Sequence, residues 1–177
     1  MFSMRQLDIY LNDHLAGAMV GVELSRRVAK SNRGTPTGEF LHRLHREIGE
    51  DRRTLQAVVR ALGADSSPVK PAFAWITEKA GRLKLNGQIR GYSPLSRLVE
   101  LEGLEVGVTG KRSLWQALGR AFPDDARLAG FDLDALVARA EQQLEGLREH
   151  RLSVARQALA EVPDPPDQEL ADVETRS

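Results

Sequence analysis

The chain has 177 residues, 41% of them hydrophobic and 28% charged, with 25 basic and 25 acidic side chains and a formal net charge of zero. That is enough chain for one domain with a buried core, and the even balance of charge gives no electrostatic case for nucleic acid or an anionic membrane as main partner. Cysteine is absent, which excludes disulfides, zinc–thiolate centres and thiol catalysis.

Residues 1–12 carry Arg5 and Asp8 and lack the apolar centre of a secretory leader. The first helix is predicted over residues 3–30. At about 100° per residue, Leu7, Leu11, His14, Ala18, Gly21 and Ser25 share one stripe. Gly34 suits a C-terminal cap, and Thr35-Pro36 reads as the N-cap and first residue of the next helix. Helix 2, over 36–62, has Leu41, Leu44, Ile48, Asp51, Leu55 and Val59 on its stripe and stops at Gly63. The short loop between two long helices predicts an antiparallel hairpin.

Residues 63–92 form a connector, with a short helix expected over 72–85 around Phe73, Trp75 and Ile76. It is too long for a tight turn and suits a crossover from one end of a bundle to the other. Lys70, Lys79, Arg82, Lys84 and Arg90 cluster here. They read as a solvated face, with nucleic-acid contact as the weaker alternative. Helix 3 starts at Ser93-Pro94 and runs to about Phe122, with Glu100 on its apolar side. Gly103, Gly107 and Gly110 lie on that side as well. Each costs about 1 kcal/mol of helix propensity against alanine, so they read as close helix contacts. Asp132 caps helix 4, expected over 133–162, whose stripe includes Ala140, Leu144, Leu147, Arg151 and Val154. The acidic, proline-bearing residues 163–177 read as a disordered tail. No segment reaches the roughly 18–20 apolar residues of a membrane span, and a cytoplasmic location is the expectation.

The fold class expected is therefore all-α, a four-helix bundle over residues 1–162. Each helix places one polar residue on its inward stripe: His14, Asp51, Glu100 and Arg151. His14 lies 19 residues before Arg33, in the first turn, and Asp51 lies 18 after it, so the two stand at one height. Glu100 lies 27 before Arg127 and Arg151 lies 24 after it, an offset that a long arginine can cover.

Two hairpins joined by a long crossover is the topology of ferritin-like proteins. Local text also resembles that superfamily, in its bacterioferritin and rubrerythrin branch. Leu98-Val99-Glu100-Leu101-Glu102-Gly103 resembles the bacterioferritin third helix, whose Glu-Leu-Asp-Gly stretch supplies a metal ligand. His45-Arg46-Glu47-Ile48-Gly49-Glu50-Asp51 resembles the acidic part of the second helix, and Gly146-Leu147-Arg148-Glu149-His150 the fourth. The resemblance implies a di-metal centre built from a Glu on each of two helices and Glu-x-x-His on each of the other two. This chain departs from that pattern. His14 stands where a Glu is expected, Thr54 follows Asp51 by three, and Leu144 follows Glu141 by three. The literal Glu39-Phe40-Leu41-His42 falls off the inward stripe, and His150 reads as a surface residue.

Buried carboxylates need compensating positive charge. Arg151 and, if it is protonated, His14 are expected to supply it in place of metal, because a fixed guanidinium repels a cation. The function implied is a non-catalytic ferritin-like protein with no resident cofactor. The alternative is an iron or manganese oxidase or storage protein whose ligands are His14, Glu47, Asp51, Glu100 and Glu141. Ile9, Val20 and Leu24 on the back of helix 1 suit a homodimer interface or the underside of the connector.

Overall fold

The computed structural model describes residues 4–65 and 92–160. These form four long helices: α1 (Met4–Ser31), α2 (Pro36–Leu62), α3 (Pro94–Ala121) and α4 (Leu133–Ala160). A single turn of 3-10 helix, Ala126–Leu128, lies between α3 and α4. No strand occurs among the described residues. The short helix expected over 72–85, the basic cluster from Lys70 to Arg90 and the acidic tail all lie outside the described residues.

Local chemistry sets the helix ends. The Thr35 hydroxyl accepts from the Gly38 N–H at 3.0 Å, and Pro36 opens α2 without a hydrogen bond to lose. At the other end Gly63 adopts φ 68°, its N–H bonds the Arg60 carbonyl, and the Ala64 N–H bonds the Val59 carbonyl. That is the paired closure that a left-handed cap makes possible. Ser93 caps α3 through the Ser96 N–H at 3.1 Å, and Asp132 caps α4 through the Ala135 N–H at 2.9 Å.

Neighbouring helices run antiparallel. α1 packs on α2, α3 packs on α4, and α1 also lies against α3. One end of the bundle holds the α1–α2 turn and the start of α3, where Asn32 Nδ2 donates to Tyr92 Oη at 2.8 Å. The other end holds the close of α2 and the α3–α4 turn, where Arg127 Nη1 donates to the Leu62 carbonyl at 3.1 Å. Asp65 lies at that second end, bonded by Asn12 Nδ2 at 2.7 Å. Asn12 and Asn32 are twenty residues apart on and just beyond α1, or roughly 30 Å. Residues 65 and 92 therefore stand at opposite ends of the bundle.

The core falls into two apolar halves. One is centred on Leu41, Leu44, Leu101, Leu104 and Leu147, and the other on Leu11, Leu55, Val58, Leu114, Trp115 and Leu118. The halves meet at mid-height. There α2 steps from Ile48 through Asp51 to Leu55, and α3 steps from Val108 through Lys111 to Leu114. The boundary is thus polar, and it organises the site.

Candidate functional site

Asp51 is 3% exposed and stands at the centre of a network across three helices. Lys111 of α3 donates to its Oδ2, and Arg139 of α4 donates to its Oδ1. Gln143 of α4 is also 3% exposed. Its Oε1 accepts from Lys111, and its Nε2 donates to Glu47 Oε2 at 2.9 Å and to Asp51 Oδ2 at 3.4 Å. Arg139 extends a second nitrogen to Glu50 Oε2 at 3.5 Å. Burial pushes the Lys111 ammonium below the usual lysine range, against the opposing pull of the Asp51 carboxylate. The carboxylate is therefore neutralised in place by two cations and a buried amide.

Neither expected pair forms, His14 with Asp51 or Glu100 with Arg151. Asp51 is buried as expected, but its counter-charges come from Lys111 and Arg139. His14 stands half-buried on α1, its ring edge-on to Tyr10 at 4.7 Å between centroids. Burial pushes its imidazole below the ordinary range, which disfavours the protonated ring, against the opposing pull of Asp13. Glu100 lies toward the α1–α2 turn, accepting from Tyr92 Oη at 3.0 Å and pairing with Arg27 at 3.0 Å. Arg151 does not reach it; its Nε donates to Glu105 Oε2 at 2.6 Å instead. The offset of about one turn between Glu100 and Arg151 is resolved by each finding a nearer partner.

The alternative ligand set is also dispersed. Glu141 is exposed, Glu47 is held by Gln143, and both Glu39 and His42 are exposed. Among the described residues no group of three or more Asp, Glu and His side chains is placed to hold a metal ion. His150 is not a free surface residue: its ring stacks on Phe40 at 4.5 Å and bonds Thr37 Oγ1 at 3.2 Å. Gly146 makes room for that stack, since a Cβ there would run into the Phe40 ring.

Sequence reasoning passed over Lys111, Arg139 and Gln143. A signal existed for two of them. Lys111 follows Glu100 by eleven residues, three full turns, and therefore shares its inward stripe. Gln143 lies three residues after Ala140 and four before Leu147, a core spacing on α4. Arg139 reaches inward by length from the helix flank, with its side chain still 30% exposed.

Beside this network a cleft of about 330 Å³ opens between α1, α2 and α3. Asp51 and Lys111 belong to its wall, as do His14, Gly17, Gly107 and Gly110. The expectation of close contact at the α3 glycines holds at one of them. A Cβ at Gly103 would come within 3.3 Å of Leu24 Cδ2, whereas one at Gly107 or Gly110 would meet nothing within 4 Å. α3 stays helical through all three, so Gly107 and Gly110 line open space and do not break the helix. Val20 and Leu24, expected on the back of α1, also line the cleft; of the three back-face residues only Ile9 is exposed, at 54%.

The chain matches no family model, no curated protein and no solved structure. No helix among the described residues is long and apolar enough to cross a membrane. The functional reading therefore stands on the geometry of the polar layer and the cleft.

Proposed function

We propose that this chain is a ferritin-like four-helix bundle in which fixed internal charge takes the place of a di-metal centre, and that it serves a non-catalytic role. The observation that carries the reading is the pairing of Asp51 with both Lys111 and Arg139. In carboxylate-bridged metal proteins the cations neutralise the inward carboxylates. Here an ammonium and a guanidinium do so from the protein itself. A divalent ion beside them would bring like charges together in a medium of low dielectric. The placement of residues 65 and 92 at opposite ends and the antiparallel pairing of neighbours support this reading.

The alternative, an iron or manganese site, would need Asp51 to exchange Lys111 and Arg139 for metal, with Glu47 released from Gln143. The test is elemental analysis of the full chain purified without added metal, followed by titration with manganese(II) and anaerobic iron(II). The expected result is no stoichiometric binding and no ligand-field or charge-transfer absorption. One or two ions per chain, lost on Asp51→Asn, would overturn the proposal.

A further inference from the structure

We propose that Asp51 and Lys111 condense slowly after folding into a side-chain amide that ties α2 to α3. The two residues are 60 apart in sequence and in direct contact, Lys111 Nζ donating to Asp51 Oδ2. Asp51 is buried, and the Lys111 side chain is 16% exposed. In bulk water such a pair stays apart, because hydrolysis of the amide is favoured there. Contact inside a fold shifts that balance, since well-oriented partners reach effective molarities of about 10⁵–10⁸ M. Burial favours the product as well. The pair is an ammonium and a carboxylate in a layer of low dielectric, whereas the amide is neutral. Arg139 keeps Glu50 as a counter-charge when the carboxylate is consumed. The proposal rests on this contact and not on a ferritin-like path of the chain.

The surrounding bonds fit the product as well as they fit the pair. A proton first passes from Nζ to Oδ2 along their hydrogen bond, which gives an amine and a carboxylic acid. Burial pushes Lys111 toward that neutral form and Arg139 acts in the same direction, while Asp51 and Glu47 oppose it. Nζ then attacks Asp51 Cγ and the C–N bond forms. Negative charge develops on Oδ1, to which the Arg139 guanidinium already donates. Nζ gives up a second proton, and Glu47 relays it to Oδ2. Glu47 is bonded to the Gln143 amide, which also reaches Oδ2 at 3.4 Å. The Cγ–Oδ2 bond breaks and one water leaves. The new carbonyl oxygen, Oδ1, keeps its bond from Arg139, and the new N–H keeps the acceptor Nζ has now, Gln143 Oε1. Both polar atoms of the amide are thus partnered in advance. The step is slow because Arg139 and Lys111 hold Asp51 as the carboxylate, its unreactive form. Freshly purified chain therefore carries the ion pair, and the amide accumulates with time.

The test incubates the full folded chain, warm and at neutral pH, for days and samples it by intact mass spectrometry. A species lighter by one water is expected to grow in. Trypsin should release from it a branched fragment in which residues 47–52 are joined to residues 98–112, because cleavage after an acylated Lys111 is blocked. Chain held in guanidinium chloride should keep its full mass, since the reaction needs the fold. Lys111→Arg, which retains the charge, should keep its full mass as well. Glu47→Gln should slow the loss of water at least tenfold, and an unchanged rate would overturn the relay. An unchanged mass of the folded parent chain throughout the incubation would overturn the proposal. So would water lost equally fast in denaturant, or lost by ring closure of Asp51 onto its own backbone with Lys111 still cleaved by trypsin. Elemental analysis of the same sample reports on the metal-free reading separately, so the failure of either proposal is visible without the other.

Discussion

Replacing Asp51 by alanine would leave the Lys111 ammonium in the core without its anion. The Lys111 side chain is 16% exposed and that of Asp51 is 4% exposed, so neither group has much water to return to. Removing one partner of a buried pair costs about 3–5 kcal/mol. The low end applies, because Arg139 is 30% exposed and can turn toward Glu50 and solvent. A loss of about 3 kcal/mol is therefore expected for Asp51→Ala. Lys111→Met is milder, about 1–2 kcal/mol, since Asp51 keeps its bond from Arg139. The double variant removes both buried charges and should be about 2 kcal/mol more stable than the sum of the single losses. Urea unfolding followed by far-ultraviolet circular dichroism at neutral pH, with the slope compared between variants, measures all three. The coupling should persist at about 1 M salt, because buried pairs are weakly screened. An Asp51→Ala loss below about 0.5 kcal/mol, or strict additivity, would refute the buried network.

The two kinds of glycine should respond in opposite directions. A Cβ at Gly38 would run into the Asn32 carbonyl, so Gly38→Ala should lose about 1–3 kcal/mol, while Gly107→Ala, facing open space, should gain about 0.5–1 kcal/mol; urea midpoints of the two variants check this, and equal signs would contradict it. Burial holds the His14 and His150 imidazoles below the ordinary histidine value of about 6.5. The unfolded chain takes up those protons first, so the associated stability is complete above about pH 6.5 and is lost as pH falls through that value toward the lower folded ones. His14→Gln should flatten the decline in urea midpoint between about pH 7 and pH 5; an unchanged slope would show that His14 does not contribute.

Much of the fold was legible in the sequence because its determinants are local. Thr35-Pro36, Gly63, Ser93-Pro94 and Asp132 each act on the backbone within a few residues, and the observed helix starts and stops follow them. The 3.6-residue period separates inward stripes from solvated faces, which is why Asp51, on the stripe, is buried and Glu39 and His42, off it, are exposed. The length of residues 63–92 indicated a crossover, and the opposite placement of Asp65 and Tyr92 agrees with it. The partners of the inward charges were not legible in the same way. Periodicity gives an angle around one helix, but a salt bridge depends on the lateral register between helices and on how far a flexible side chain can reach. Glu100 and Arg151 share a face in projection, yet Arg27 and Glu105 lie nearer in space. Lys111 and Arg139 reach Asp51 from different helices, one from the core stripe and one from its flank. The glycines of α3 carry the same lesson: a missing Cβ admits either a neighbouring helix or open space. Which one obtains depends on how α1 and α3 diverge beyond Gly103, and only the tertiary packing of three helices decides that.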